Sequence, residues 1–336
     1  MNTKEKKKNI PIFVAHKGCP NDCVFCNQVK ISGSKDEINP DSIREIIEAS
    51  LPYCDCKNTQ IAFFGGSFTG ISQDVMIEYL KIAKHYVDKF FLDGIRLSTR
   101  PDYINEHILD ILKKYGVKVI ELGVQSMDNE VLLKNNRGMT KKDTLNACKL
   151  IKEYGFTLGV QLMTSMYGST KEADIQTALE VTALSPDFVR IYPTVVIEGT
   201  KLYEFYESGL YKTRTLDETI DVCCEMVEIF SRENIPVIRL GLMTNEDINC
   251  ENVIGAYHPA FGELVFSKLY FNKICKIIDE KKLMLKDKIL IIKAPKELIS
   301  KISGHKKENI RKLKEIYKIK DIHFKYNEII DISMES

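Results

Sequence analysis

Little in this 336-residue chain suits disorder, a membrane or a disulfide scaffold. Only 10 prolines and 18 glycines interrupt it, against 44% hydrophobic and 28% charged residues. That apolar fraction fills a sizeable core and excludes disorder and low complexity. At roughly 150 residues per domain the length suggests two domains, or one barrel that takes most of the chain. No apolar run comes near the ~20 residues of a bilayer-spanning helix; residues 289–292 are typical of the short runs present. The basic N-terminus is followed only by an apolar stretch at 12–15, too short for the centre of a signal peptide. The reading is therefore cytoplasmic, with no membrane partner. In that compartment the ten cysteines stay reduced, and a chain this long needs no staples, so metal or redox use becomes the question.

An excess of one charge is lacking too, since the formal net charge is +1. Near-neutrality hides an uneven distribution. Residues 281–336 hold fifteen Lys/Arg against eight Asp/Glu, a balance of +7, and residues 1–8 add +3, which leaves −9 for 9–280. An acidic body with a basic tail makes the tail the part suited to a polyanion.

The chain alternates short β-rich runs with helical periodicity. Strands are expected at 11–15, 60–64, 94–98, 117–122, 157–163 and 188–191, with helices at 40–51, 73–89, 103–114, 127–135, 141–154 and 171–183. Asp41 and Thr140 stand at N-cap positions, and Gly116 and Gly155 at helix C-termini. Six strand–helix units argue for an α/β fold with a parallel, partial (β/α)6 barrel. Several runs, such as 61–64, are apolar without alternation, as strands buried on both faces require. In such a barrel the chemistry sits on loops after the strands. Further on, another helix (217–232) and strand (237–240) precede a helix at 263–280. The tail then reads strand (288–293), helix (296–302), helix (308–317), strand (321–326). The expected domains are 10–284 and a basic module at 285–336.

Cys19-Pro-Asn-Asp-Cys23-Val-Phe-Cys26 puts three thiols on the loop after the first strand. Thiolates favour zinc and iron–sulfur clusters. Three ligands leave one iron of a cubane open, whereas a structural zinc wants a fourth ligand, for which His16 is the local candidate. The spacing resembles the C-x3-C-x2-C motif of the radical S-adenosylmethionine (SAM) superfamily, with Phe25 in the aromatic position before the third cysteine. The resemblance implies a [4Fe–4S] cluster held by Cys19, Cys23 and Cys26, with SAM on the open iron. It also implies cleavage of SAM to a 5′-deoxyadenosyl radical that abstracts hydrogen from substrate. Phe64-Gly65-Gly66-Ser67-Phe68 looks like the family's glycine-rich motif, where a bare backbone lets a ligand approach closely.

Leu122-Gly123-Val124-Gln125-Ser126, then Asn136-Arg137-Gly138 and Gln161, resemble the branch shared by the Elongator catalytic subunit and oxygen-independent coproporphyrinogen oxidase. By that resemblance Gln125, Arg137 and Gln161 contact SAM, with Arg137 on its carboxylate, a geometry suited to a guanidinium. Ser67 and Ser98 join the SAM contacts, Ser98 near the ribose. Residues 190–194 and 198–203 also look Elongator-like. The Elongator subunit carries an acetyltransferase domain for which this chain has no room. Methylthiotransferases carry a second cysteine set ahead of the barrel, absent from the ten residues here.

Other residues carry two readings. Cys54 and Cys56 bind a second metal, or point to opposite faces of extended chain. Cys148, Cys223, Cys224 and Cys275 read as core residues. Within Tyr257-His258-Pro259-Ala260-Phe261-Gly262-Glu263, His258 is a candidate catalytic residue or a helix cap. Tyr192, after the sixth strand, orients substrate or relays a hydrogen atom, or packs in the core. In the tail, Lys301-Ile302-Ser303-Gly304-His305-Lys306-Lys307-Glu308-Asn309-Ile310-Arg311-Lys312-Leu313 resembles a KH motif with Lys307 in place of the second glycine of G-x-x-G. The resemblance implies RNA contact.

Two function classes follow. One is a radical SAM enzyme acting on an unidentified substrate, RNA or tRNA among the options, with flavodoxin or ferredoxin as reductant. The other is an RNA-binding or regulatory protein whose cluster is structural or redox-sensing.

Overall fold

The computed structural model describes residues 7–14, 19, 22–27, 30, 38–244 and 248–335. The chain forms two compact units, one from Met1–Thr215 with Met226–Pro259, the other from Leu216–Glu225 with Ala260–Ser336.

The first unit contains β1 (Lys8–Val14), α1 (Pro40–Ser50), β2 (Thr59–Gly65), α2 (Gln73–Phe90), β3 (Gly94–Thr99), α3 (Glu106–Lys114), β4 (Val117–Gln125), α4 (Asn129–Lys134), α5 (Lys141–Glu153), β5 (Thr157–Thr164), α6 (Lys171–Ala183), β6 (Phe188–Pro193), β7 (Val195–Ile197) and α7 (Lys201–Glu207). The residues of α8 (Leu216–Arg232) divide between the units, and β8 (Val237–Leu240) and β9 (Val253–Gly255) complete the first. Seven strands make a parallel, curled half-barrel in the order β1-β2-β3-β4-β5-β6-β8. Every residue of β3 is buried, as is the first part of β2, which is why 61–64 reads as a continuous apolar run. The six expected strands are present within a few residues at each end, and the further strand expected at 237–240 joins the same sheet as its seventh, β8.

Local chemistry sets the helix ends. Thr140 opens α5 with a capping box: its N–H donates to the Asp143 carboxylate at 2.7 Å. Gly116 and Gly155 close α3 and α5 at φ +78° and +79°. The cap of α1 is Asn39 rather than Asp41. Its Oδ1 accepts from the N–H groups of Asp41 and Ser42 at 3.0 and 2.9 Å, because Pro40 fills the first helical position and places the cap at the residue before it, two ahead of Asp41.

The second unit contains α9 (Phe261–Glu280), β10 (Ile289–Ala294), α10 (Ile299–Ser303), α11 (Glu308–Tyr317), β11 (Asp321–Tyr326) and β12 (Asp331–Glu335). Its sheet runs β11-β10-β12, with β10 parallel to β11 and antiparallel to β12. The β-α-α-β order read from the tail is present, with β12 in addition. Ile274 and Ile278 of α9 enter the same core as Leu290, Ile292, Ile302 and Leu313. The continuous part of this unit therefore starts at Ala260, whereas the sequence reading put the boundary at residue 284.

Gly304 has φ +80°, and a Cβ there would lie 2.6 Å from Asn309 Cγ. Asn309 is buried and donates to the Ser267 carbonyl at 2.8 Å and the Ile302 carbonyl at 3.1 Å, while the His305 N–H donates to Ser267 Oγ at 3.1 Å. Internal packing alone thus demands this glycine. Lys306 and Lys307 follow in the left-handed region, at φ +49° and +61°, so Lys307 keeps a glycine-like backbone at the second KH glycine position.

Candidate active site

The C-terminal ends of the parallel strands open into a cavity of about 360 Å³. Seven residues singled out in the sequence share its wall: Phe25, Cys26, Gly65, Ser98, Gln125, Gln161 and Tyr192. Phe13, Phe64, Met163 and Leu242 make much of the rest apolar.

Partners distant in sequence fix the cysteine loop. Within it, the Cys26 N–H donates to the Cys23 carbonyl at 2.9 Å. The Val24 N–H donates to Asn135 O at 3.3 Å, and Leu202 N–H to Val24 O at 2.7 Å. Asn136 Nδ2 donates to Asp22 O at 3.1 Å. Arg137 spans the gap to the sheet, with Nη1 on Cys23 Sγ at 3.2 Å and Nη2 on the Gly123 carbonyl at 2.6 Å. Arg137 does not line the cavity in this arrangement. Cys19 is exposed as a residue, yet desolvation at its sulfur and the neighbouring Cys23 push its thiol up, against the pull of Arg100 and Arg137. Burial lowers Arg100, but Asp102, Cys23 and Cys19 outweigh it and hold its guanidinium above the usual value. Two guanidiniums thus stand ready for thiolates.

Gln125 ends β4 at φ +68°, where the β4–β5 register shifts between Gly123 and Gln125. A non-glycine residue there is strained. Its Oε1 is buried without a hydrogen-bond partner. Gly123 makes room, since a Cβ there would sit 3.2 Å from Gln125 Nε2. Gly65 has φ +102°, open only to glycine in practice, and the Gly66 N–H extends the β1–β2 ladder by donating to Val14 O at 3.1 Å. Ser67 lies fully buried and outside the cavity wall. Its hydroxyl sits 2.8 Å from Thr99 Oγ1 and accepts from the Arg100 N–H at 3.2 Å, so it ties the β2 loop to the β3 loop.

Glu121 went unrecognised in the sequence because it sits inside an apolar strand run. It is fully buried, accepts hydrogen bonds from Arg190 Nη2 and Gln161 Nε2, each at 3.1 Å, and pairs as an ion with Arg190 Nε at 2.7 Å and Arg96 Nε at 3.4 Å. Gln161 also donates to Ser98 Oγ at 3.2 Å. Burial pushes the Tyr192 phenol above its ordinary value, with Arg190 opposing. Register could not be read from sequence, so this network had no signal beyond three charges in strand-like surroundings.

The Tyr257–Glu263 stretch divides between the units. Tyr257 Oη lies 2.7 Å from Thr244 Oγ1 and donates to Ile248 O at 3.1 Å, and Thr244 and Ile248 both line the cavity. His258 is not in the wall. Glu263, in the second unit, faces His305 Nδ1 at 3.2 Å. Cys54 Sγ donates to the Ser50 carbonyl at 3.2 Å, and His16 lies outside the described residues.

Among the described residues no three His, Cys, Asp or Glu side chains converge to hold a single ion. The donor set of the cysteine loop, three thiols at Cys19, Cys23 and Cys26, is of the soft kind that an iron–sulfur cluster takes. The unpartnered Gln125 oxygen and the bare Gly65 backbone beside Cys26 suit an organic ligand next to it. Among the described residues no helix is long and apolar enough to cross a membrane.

Residues 14–180 match the radical SAM superfamily and residues 186–270 its C-terminal domain. The tRNA uridine(34) acetyltransferase of Methanocaldococcus jannaschii is 40% identical over 187 residues, 54% of this chain and 34% of that protein. Elongator complex protein 3 of Schizosaccharomyces pombe is 31% identical over 176 residues, 52% of this chain and 32% of that one. The chain thus spans about a third of the length of these curated relatives. The solved structure of Methanocaldococcus infernus Elp3 with residues 1–46 deleted has a TM-score of 0.61 and 25% identity, covering 83% of this chain and 64% of that one.

Proposed function

The chain is an enzyme of the radical SAM superfamily, and on that premise we propose that it binds one [4Fe–4S] cluster through Cys19, Cys23 and Cys26 and SAM in the adjoining cavity. Bound there, the two supply one-electron reductive cleavage of SAM and a hydrogen-abstracting radical. The chain's own residues hold and orient. Gln125 Oε1 accepts a hydrogen bond from the ligand, which satisfies an otherwise orphaned buried acceptor. Gly65 lets the ligand approach the backbone, and Phe25 walls one side. Ser98 and Glu121 fix the Gln161 amide so that its oxygen is left for the ligand. Arg137 holds the cysteine loop against β4. Tyr192 faces the reacting substrate. The strained Gln125 with its unpartnered oxygen carries this reading, because a structural cluster needs no such acceptor in a neighbouring cavity.

RNA is the proposed substrate, supported by the names of the tRNA-acting relatives and by the +7 tail. Flavodoxin or ferredoxin is the proposed electron donor. The test is anaerobic reconstitution with dithionite and SAM, with 5′-deoxyadenosine measured with and without total cellular RNA. No 5′-deoxyadenosine from protein carrying its full iron and sulfide would sink the enzyme assignment, and indifference to RNA would sink the substrate.

A further inference from the structure

The β6–β8 side of the cavity carries a charge imbalance. Register sets Gln161 of β5 beside Arg190 of β6, and Arg190 beside Arg239 of β8. Like charges directly opposite on neighbouring strands are destabilising. Arg190 is compensated by Glu121, but that carboxylate is shared with Arg96. Arg239 has no carboxylate partner among the described residues. Its Nε donates to the Gly241 carbonyl at 3.3 Å, and the residue lines the cavity together with Tyr192 and Leu242. A partly buried guanidinium without a carboxylate beside it, on a largely apolar wall, is a counter-charge for an anion that enters the cavity. In strand order β8 lies at the opposite end of the sheet from β1, which leads into the cysteine loop.

We propose that Arg239 is a substrate-recognition residue that binds an anionic oxygen group, phosphate or carboxylate, of the molecule that reacts in this cavity. The assignment rests on the proposed function and adds the substrate's chemistry to it. The planar fork of an arginine that lines the cavity matches either group with paired hydrogen bonds. Supplied by RNA, the anion is a phosphate flanking the reacting nucleotide. Supplied by a small co-substrate, it is a carboxylate.

The test is calorimetric titration at constant ionic strength of the wild type, Arg239→Gln and Arg239→Lys with uridine 5′-monophosphate, uridine, inorganic phosphate and acetate. SAM is titrated in parallel into reconstituted protein. The wild type should bind at least one anion, and Arg239→Gln should lose about tenfold or more of that affinity with SAM affinity unchanged. Arg239→Lys, which keeps the charge without the fork, should retain part of it. Preference for the monophosphate over uridine identifies a phosphate source, and preference for acetate over phosphate a carboxylate source. Absence of anion binding by the wild type overturns the proposal, as does anion binding by Arg239→Gln equal to wild type. Loss of SAM affinity in step with anion affinity overturns it too, since the arginine would then serve SAM. Failure of the wild type to assemble a cluster or bind SAM refutes the proposed function separately, because the anion titrations need neither.

Discussion

Gln125 holds a backbone conformation that glycine would occupy more cheaply, at φ +68°, and it leaves a buried oxygen without a partner. Strain of that kind costs on the order of 1 kcal/mol or more, so stability and binding should part here. Gln125→Gly is expected to raise the unfolding free energy by about 1 kcal/mol while weakening SAM binding, read by thermal denaturation and by SAM titration of the reconstituted protein. Equal or lower stability with unchanged SAM affinity would refute the strain account. Titration offers a second reading. Burial pushes the Cys148 thiol and the Tyr211 phenol each up to about 12, and Tyr211 donates to the Ser165 carbonyl at 2.6 Å. For a raised folded pKa the stabilisation is complete below the unfolded value and disappears as pH rises through the folded one. The Tyr211 contribution, about 2–3 kcal/mol, is therefore present below about pH 10 and lost by about pH 12. Tyr211→Phe should flatten that part of the alkaline stability profile and lower neutral stability by about 1 kcal/mol for the missing hydrogen bond; an unchanged slope above pH 10 would count against it. At this scale the thiols, Gly65 and Gln125 were legible because their spacing is itself the signal. Glu121 and Arg239 were not, because each becomes chemical only when register brings it beside a partner.

The linker between α4 and α5 serves the cysteine loop as a clamp. Asn135, Asn136 and Arg137 all bond into it, although they lie more than a hundred positions along the chain. Arg137→Ala breaks two buried charge-assisted hydrogen bonds, each worth about 1.5–3 kcal/mol. It is expected to lower stability in urea and to reduce iron retained after reconstitution; full iron with wild-type stability would show that the clamp is idle. Gly304→Ala meets both a positive φ and Asn309, and should cost about 2 kcal/mol or more in chemical denaturation. Periodicity found the barrel strands because each centres on a short apolar run between helical stretches, even where a residue such as Arg96, Glu121 or Arg190 interrupts it, and it found the tail's helices from the spacing of residues such as Ile310 and Leu313. It missed β7 and β9, which are three residues each, and β12, whose polar positions outnumber its apolar ones. Such strands exist only as partners of other strands, so nothing in their own composition announces them.

Over the whole molecule, charge is distributed by unit, and the basic tail should govern polyanion binding. Lys306, Lys307, Arg311 and Lys312 are all exposed, though Lys312 is paired with Glu308 at 2.7 Å. Replacing the four with Gln should weaken RNA binding and lower the slope of log affinity against log salt by about 2–3, while stability stays within about 0.5 kcal/mol. RNA affinity and slope equal to wild type would remove the tail from any RNA contact. The half-barrel has a further consequence through its first strand. β1 ends the sheet order and pairs only with β2, residue for residue with a segment some fifty positions later. Its inward residues Ile10, Ile12 and Val14 are buried, while Pro11 between them contributes no N–H. Peeling this strand breaks fewer bonds than opening any inner strand, and the cysteine loop leaves directly from its end. Amide hydrogen exchange should therefore be fastest among the long strands at Lys8–Val14, through an opening well below the global unfolding free energy. Slower exchange there after cluster assembly would show the metal closing the edge of the sheet. The same fraying event would then set both the route by which iron enters and the rate at which oxygen reaches it.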